Sequence, residues 1–227
     1  MPSSDLQIPR PTAHRLSLYL REIQLMIASG EVTVSSRALG EALGYSSAQV
    51  RKDLAWVVHV GGTSEGGQAG VGYDCASLLA AIRSVIGTDR PWSTLLIGAG
   101  NIGRALLGYG GFASQGFRIF AVLDGDERVV GKKIGAFVVQ PMSVLRKCVR
   151  TNRVTIAVLA VPRTAAQEVA SQLCAAGVRG ILNFAPVRLA VTEGVSVTNV
   201  DVSVALEQLA MNISRGDHPP LAKIGAA

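Results

Sequence analysis

Cysteine and histidine are scarce in this chain, with three residues of each among 227. Cys75, Cys148 and Cys174 are odd in number and widely spaced, so they form neither a disulfide framework nor a zinc knuckle. We expect them to be buried, reduced thiols. The histidines also lack the spacing of a metal site or of an activated nucleophile, and the sequence therefore predicts no metal and no catalytic residues.

Long hydrophobic runs are missing as well, although 48% of the residues are hydrophobic. No apolar run reaches the ~18 residues that a membrane helix requires. The N-terminus, MPSSDLQIPRPTAHR, is polar and has no signal-peptide core. We therefore expect a cytoplasmic, globular protein that makes no membrane contact and is long enough for one large domain or two small ones.

Positive charge is in excess, but it is unevenly placed. Residues 1–90 hold eight Lys and Arg and eight Asp and Glu, so the net charge of +6 lies entirely in the rest of the chain. Because of this distribution, bulk charge says little about nucleic acid, and any DNA-binding role must rest on local placement.

The first part of the chain has the pattern of short helices. Thr12 is predicted to cap a first helix whose apolar residues recur at three- and four-residue intervals: Leu16, Tyr19, Leu20, Ile23 and Ile27. A second helix would be capped by Ser35 or Ser36 and would end at Gly44. After a tight turn, a capping box of Ser46 and Gln49 would open a third. This order is that of a helix-turn-helix.

Polar side chains gather near the start of the third helix, where a recognition helix contacts base edges and phosphates. They are Ser46, Ser47, Gln49, Arg51 and Lys52. An ordinary helical bundle with solvated polar faces would explain them equally well. The glycine-rich stretch that follows, HVGGTSEGGQAGVGY, predicts a flexible loop that fits the tip of a wing hairpin.

The second part of the chain alternates strands with helices. The predicted strands are STLLI, FRIFAVLD, VTIAVLAV, GILNF and VSVTNVD, and helices are predicted to begin near Asn101, Met142 and Thr164. A capping box of Thr164 and Gln167 would open the last of these helices. Continuous apolar strands separated by helices indicate a parallel sheet covered on both faces. We therefore predict an α/β chain: a winged helix-turn-helix domain at 1–88, a Rossmann-type domain at 89–200 and a C-terminal helix and tail at 201–227.

A glycine motif of the form G-x-G-x-x-G follows the first of these strands directly and opens a helix. It runs through Gly98, Ala99, Gly100, Asn101, Ile102 and Gly103. In a dinucleotide site the first glycine makes a tight turn, the second admits the pyrophosphate and the third packs the helix on the sheet. Asp124, 21 residues after the motif, can bind the adenosine ribose and would repel a 2′-phosphate, which favours NAD(H) over NADP(H). A glycine-rich turn that only packs the sheet is the alternative.

No acid or base for hydride transfer stands out after this motif. The rest of the chain contains a single histidine, His218, and no separate substrate domain. The dinucleotide is therefore predicted to act as a ligand rather than as a reagent.

Three motifs in this order carry a resemblance to a known family: AQVRKDL, GAGNIGRAL and GILNFAPVRL. With them the chain resembles the Rex family of redox-sensing transcriptional repressors over nearly its whole length. The resemblance implies a homodimer that binds an inverted-repeat operator in double-stranded DNA and is released by NADH, whereas NAD+ competes for the site without preventing DNA binding.

The same resemblance implies roles for further residues. Val161 and Pro162 would lie beside the dinucleotide. Arg21, Tyr109 and Asp201 would form an interdomain switch, for which three separate surface-to-core polar contacts are the alternative. The last helix, at 202–213, would pack between the domains of the partner subunit through Val204, Leu206, Leu209 and Ile213, although packing on its own sheet would give the same stripe.

One segment departs from the family pattern. The family usually reads Tyr-Phe-Gly-x-Phe-Gly and a basic pair before Gly-x-Gly-Tyr. This chain instead has Trp56 to Val60, with Gln68 and Ala69 in place of the basic pair and an added negative charge at Glu65. The loss of two phosphate contacts per dimer would flatten the salt dependence of DNA binding by nearly two units. DNA contacts would then rest on Arg51, Lys52 and Arg10 or Arg15. An NADH-binding paralogue without DNA binding and a minimal NAD-dependent oxidoreductase are the alternatives.

Overall fold

A computed structural model describes residues 8–61 and 72–216 of the chain. The chain divides into two compact units, the first reaching Asp89 and the second spanning Arg90–Arg215. Helices dominate the first unit, and a parallel sheet is the centre of the second. The predicted α/β architecture is confirmed.

The first unit combines four helices with a small two-stranded antiparallel sheet. In chain order its elements are α1 (Arg10–Ala28), β1 (Thr33–Val34), α2 (Ser36–Leu43), α3 (Ser47–Gly61), β2 (Tyr73–Asp74) and α4 (Cys75–Ile86). Strands β1 and β2 pair antiparallel. Helices α2 and α3 form a helix-turn-helix, and β2 directly follows the segment predicted as the wing. The predicted wing tip, with Glu65, Gln68 and Ala69, lies outside the described residues.

Apolar stripes on the helices form the core of this unit. The buried residues include Leu16, Tyr19, Leu20, Ile23, Leu39, Val50, Leu54, Val57, Leu78 and Ile82. Ser35 and Ser46 cap α2 and α3, accepting hydrogen bonds from the N–H groups of Ala38 at 3.0 Å and Gln49 at 3.1 Å. The predicted cap of α1 is wrong, because Pro9 rather than Thr12 precedes the helix. Ile27 lies in the helix as predicted and is 39% exposed.

The second unit alternates strands and helices as predicted. Its elements are β3 (Trp92–Ile97), α5 (Asn101–Gly108), α6 (Gly111–Ser114), β4 (Phe117–Asp124), β5 (Lys133–Ile134), β6 (Phe137–Val138), β7 (Gln140–Pro141), a 3₁₀ turn (Met142–Val144), α7 (Leu145–Thr151), β8 (Ile156–Leu159), α8 (Arg163–Ala176), β9 (Gly180–Asn183), β10 (Ser196–Asn199) and α9 (Val202–Arg215). Six strands form one sheet in the order β10-β9-β8-β3-β4-β7, and every pair in it is parallel. Strands β5 and β6 form a separate antiparallel hairpin.

Both faces of the parallel sheet are covered. Leu95 and Ile97 of β3 belong to one apolar cluster, whereas Leu96 between them belongs to another. Successive side chains of a strand point to opposite faces. This central strand is therefore buried on both sides, which explains why its sequence is a continuous apolar run.

Helix α8 begins differently from the prediction. Pro162 precedes it and makes no side-chain cap, so the predicted capping box of Thr164 and Gln167 is wrong. The Gln167 amide instead exchanges two hydrogen bonds with the backbone of Ala190, each 2.9 Å long. Gly177 ends the helix, as predicted.

Helix α9 has no buried residue in this single chain. Six large apolar side chains along it are each at least 45% exposed: Val202, Val204, Leu206, Leu209, Met211 and Ile213. The alternative in which this stripe packs on the chain's own sheet is therefore wrong. A helix with this much apolar surface requires a partner.

Candidate functional site

The carboxyl edge of the parallel sheet contains a topological switch point. The chain passes from β3 to β4 on one side and later returns to β8 on the other side of β3. Ligands of open α/β sheets bind in the crevice outside the strand ends at such a point. The loops after Ile97 and Leu159 border this crevice.

Two glycines of the motif are required by the geometry of the loop. Gly98 has a φ of +103°, and a Cβ atom there would collide with the carbonyl of Ala160. A Cβ atom on Gly103 would collide with the carbonyl oxygen of Gly98. The turn and the close packing of α5 therefore both depend on the absence of a side chain.

Gly100 differs because open space surrounds it. It precedes α5, and apart from its own backbone and its two chain neighbours no atom lies within 4 Å of the position of its missing Cβ. The exposed residues Asn101 and Ile102 follow in the first turn of the helix. Backbone N–H groups at a helix N-terminus bind anions, and the open space at Gly100 lies beside them.

Asp124 holds the glycine loop from the end of β4. Its Oδ2 accepts a hydrogen bond from the N–H of Ala99 at 2.6 Å, and its Oδ1 accepts one from the N–H of Asp126 at 2.9 Å. An ionised carboxylate can accept about four hydrogen bonds, so it retains acceptors for ribose hydroxyls. The residue thus links the loop to the position expected of the adenosine ribose.

Arg104 is a site residue that the sequence did not indicate. Its Nε donates a 2.9 Å hydrogen bond to the carbonyl of Ala99, so both backbone polar groups of Ala99 are bound by side chains. All that the sequence shows is an arginine directly after Gly103, the third glycine of the motif. Nothing in the pattern of glycines distinguishes it from a solvated helix residue.

Val161 reaches the same edge from β8. Its Cγ1 lies near Gly98, at 3.2 Å from where a Cβ would be. Pro162 follows it, is exposed and precedes α8. The structure therefore brings the glycine loop, Asp124 and Val161 together around one crevice, with Pro162 at its border.

The start of α3 presents several of the residues predicted to bind DNA. Ser46 and Ser47 open the helix, and Arg51 and Lys52 are exposed on its next turn. Arg51 also donates a 3.3 Å hydrogen bond to the hydroxyl of Ser36. Arg10 is exposed at the first position of α1.

Arg15 and Gln49, which were also predicted to bind DNA, belong to a group of polar side chains inside the first unit. We call Thr12, Arg15, Tyr19, Gln49 and Asp53 the Asp53 cluster. The Asp53 carboxylate accepts hydrogen bonds from Arg15 Nε at 2.6 Å, Arg15 Nη2 at 2.8 Å, the Tyr19 hydroxyl at 2.9 Å and Gln49 Nε2 at 3.0 Å. Thr12 contacts it at 3.4 Å. Arg15 is therefore held by an internal carboxylate rather than presented as a free cation.

Within this cluster, Arg15 and Asp53 form an ion pair. Burial favours the neutral acid of Asp53, but hydrogen bonds from Arg15 and Tyr19 outweigh burial and hold the pKa of Asp53 below its usual range. Burial, followed by the hydrogen bond to Asp53, raises the pKa of the Tyr19 hydroxyl. Tyr19 is thus a proton donor to a carboxylate that stays ionised.

Each of the three residues predicted to form an interdomain switch has its own local surroundings in the structure. Arg21 is exposed on α1. Tyr109 follows α5 and packs edge-to-face on Phe112, with ring centroids 5.3 Å apart. Asp201 caps α9, where it accepts a hydrogen bond from the N–H of Ser203 at 2.9 Å.

Residues 8–61 and 72–216 contain neither a cluster of metal ligands nor a membrane-spanning helix. No three His, Cys, Asp or Glu side chains in these ranges lie close enough to hold a metal ion. No helix in them is both long and apolar enough to cross a bilayer.

Known proteins match both units. Residues 7–55 match the family model described as "Putative DNA-binding protein N-terminus", and residues 89–187 match the one described as "CoA binding domain". The redox-sensing transcriptional repressor Rex of Carboxydothermus hydrogenoformans is 44% identical over 209 residues, which cover 92% of this chain and 98% of that protein. The Rex repressor of Streptomyces coelicolor is 42% identical over 220 residues, covering 97% of this chain and 83% of its own.

Solved structures agree with these relatives. The crystal structure of RSP, a Rex-family repressor, in complex with β-NAD+ and operator DNA has a TM-score of 0.82 and 29% identity, covering 93% of this chain and 94% of that one. The complex of RSP with β-NADH has a TM-score of 0.79 and 28% identity, covering 92% and 96%. Because the likeness spans both units and nearly the full length of its relatives, this chain belongs to the Rex family of redox-sensing transcriptional repressors.

Proposed function

We propose that this protein is a homodimeric repressor that binds operator DNA and leaves it when NADH occupies the second unit. One observation carries the proposal: a single chain holds both a helix-turn-helix with an exposed basic turn on α3 and a dinucleotide crevice at a sheet switch point. The Rex-family repressor RSP forms complexes with NADH and with NAD+ plus operator DNA.

The residues of the crevice fit a dinucleotide. The N-terminus of α5 and the open space at Gly100 would receive the pyrophosphate, and Asp124 would accept hydrogen bonds from the adenosine ribose. Val161 supplies an apolar contact at the same edge. Bound here, NADH is a regulatory ligand whose redox state is the signal.

Oxidised and reduced cofactor differ in charge. NAD+ carries a positive charge on the nicotinamide ring that NADH lacks, and burial in an apolar pocket disfavours a cation. A coupling of about 1–3 kcal/mol between the nucleotide and DNA sites would change operator affinity roughly 5- to 150-fold. Rearranged hydrogen bonds at Arg21, Tyr109 and Asp201 are our proposed source of this coupling.

The exposed apolar face of α9 would be buried in the dimer. In the proposed assembly Leu206, Leu209 and Ile213 pack against the partner subunit, so that each chain completes the other. The protein would act in the cytoplasm, where it would meet its operator DNA.

We further propose a regulatory rather than an enzymatic role. Residues 90–215 contain no histidine, and the groups bound around the glycine loop are held by structural hydrogen bonds. None of them is placed as a general acid or base for hydride transfer.

The test is fluorescence anisotropy of a labelled inverted-repeat operator of the Rex type, titrated with the protein alone, with NAD+ and with NADH. Release by NADH and not by NAD+ is the expected result. A protein that binds NADH but no DNA would refute the repressor function, and turnover of the cofactor with a carbonyl or alcohol substrate would refute the regulatory role.

The same assay tests whether operator binding depends on the basic residues of α3 in particular or on any positive charge nearby. Arg51→Ala is expected to weaken operator binding, whereas Arg37→Ala should not. Arg37 is exposed on α2 and paired with Glu41 at 2.8 Å, so it serves as a matched control.

A further inference from the structure

The Asp53 cluster ends at the start of α3, on the side chain of Gln49. Gln49 is the third residue of the helix and is half-buried, so part of its amide meets solvent where a recognition helix meets base edges. Its Nε2 is 3.0 Å from Asp53 Oδ1. The cluster therefore connects the interior of the unit to the surface proposed to bind DNA.

The charge of Asp53 fixes which way round this amide lies. An ionised carboxylate only accepts hydrogen bonds, so the NH₂ group and not the carbonyl of Gln49 must face it. Arg15 donates two hydrogen bonds to the same carboxylate and keeps it ionised. Over the described ranges the amide makes no other side-chain hydrogen bond, so its Oε1 and its second N–H remain available.

The carboxylate is itself held rigidly. Its side chain is 2% exposed, and it is bound from α1 by Arg15 and Tyr19. The Arg15 guanidinium lies over the ring of Tyr45, 5.9 Å from the centroid, in the turn between α2 and α3. Helix α1, the turn and α3 are thus tied to one anion.

We propose that Asp53 is a positioning residue for operator recognition, because it locks the Gln49 amide in the orientation that selects adenine. The available carbonyl oxygen and second N–H match the N6 donor and N7 acceptor that adenine presents in the major groove. An amide free to rotate would also offer two N–H donors to the acceptors of guanine. This inference rests on the proposed function, since it requires an operator to be read.

The test is selection from a pool of randomised DNA duplexes with the full-length wild-type protein, Asp53→Asn and Gln49→Met. Anisotropy then gives the affinity for selected duplexes that differ at one base pair. An Asn at 53 can donate as well as accept, so it releases the amide, while Met fills the volume of Gln without hydrogen bonds.

We expect the wild type to prefer A·T at one position of each half-site by about fivefold or more. Both variants should lose this preference at that same position and keep the others, with the Kd for NADH unchanged. A merely structural role would lower affinity for all duplexes equally and would refute the proposal. Loss of preference at different positions in the two variants would refute it as well.

Three further outcomes are distinct from these. If Asp53→Asn does not fold, Gln49→Met decides, because selection identical to wild type shows that Gln49 reads no base. If the wild type binds NADH but selects no sequence, the proposed function fails together with this inference. If the wild type selects a sequence and both variants select the same one, the inference is overturned and the proposed function stands.

Discussion

Replacing Asp124 with alanine is the most direct perturbation of the proposed nucleotide site. The substitution removes the acceptors for the ribose and also leaves the N–H of the buried residue Ala99 without its 2.6 Å partner. Loss of charge-assisted hydrogen bonds and of a buried partner costs about 2–4 kcal/mol, which corresponds to a roughly 30- to 1000-fold rise in the Kd for NADH.

Isothermal titration calorimetry with NADH and NADPH measures this effect. The preference for NADH over NADPH should be smaller in Asp124→Ala than in the wild type, because no carboxylate is left to repel a 2′-phosphate. Asp126→Ala is the matched control: this half-exposed neighbour pairs with Arg128 at 2.9 Å, and its backbone N–H is retained. We expect its affinity for NADH to be that of the wild type.

DNA binding provides the second arm of the experiment. Operator affinity without nucleotide should be the same in Asp124→Ala and wild type, while release should need more NADH. An unchanged Kd for NADH would show that the carboxylate does not contact the ribose. Equal losses of NADH and DNA affinity would mean that the substitution damages the fold, and the assigned role would be refuted.

Four further predictions follow from the same geometry. Gly98→Ala should abolish NADH binding and destabilise the second unit by about 1–3 kcal/mol in thermal melts, because a side chain there is strained at a positive φ. Arg51→Ala should reduce the slope of log K against log salt by about 0.9 per subunit, whereas Arg37→Ala should leave it unchanged. The pKa of Asp53 is lowered in the folded chain, so its ionised form stabilises the first unit above about pH 4. This stabilisation is lost as the pH falls further. In urea titrations, the difference in unfolding free energy between wild type and Asp53→Asn should therefore shrink below that pH. Leu209→Glu should shift sedimentation from dimer to monomer, and an unaltered dimer would exclude α9 from the interface.

The sequence predicted the elements that depend on local pattern. Gly98 and Gly103 are required by backbone geometry, and such requirements leave a direct trace in the sequence. The caps at Ser35 and Ser46 involve residues three apart and were equally readable. Most elements with local determinants were therefore found, but two predicted caps were wrong, because Pro9 and Pro162 rather than Thr12 and Thr164 precede α1 and α8.

Contacts between distant residues could not be predicted from the sequence. Arg15 and Asp53 are 38 positions apart, and only the packing of α1 on α3 brings them together. The sequence did contain a signal, since Asp53 stands in the buried stripe between Val50 and Leu54. Burial of an acid requires a partner, but the pattern does not say which cation supplies it.

The glycine loop is fixed before any nucleotide arrives, since Asp124 and Arg104 bind both polar groups of Ala99. A receptor that must order its binding loop loses part of the interaction free energy to that ordering. Here that loss is small, so most of the ligand's differential affinity can shift the balance between the DNA-binding and released conformations. Because no ordering step has to precede binding, the nucleotide can also associate faster than it would with a loop that must first fold.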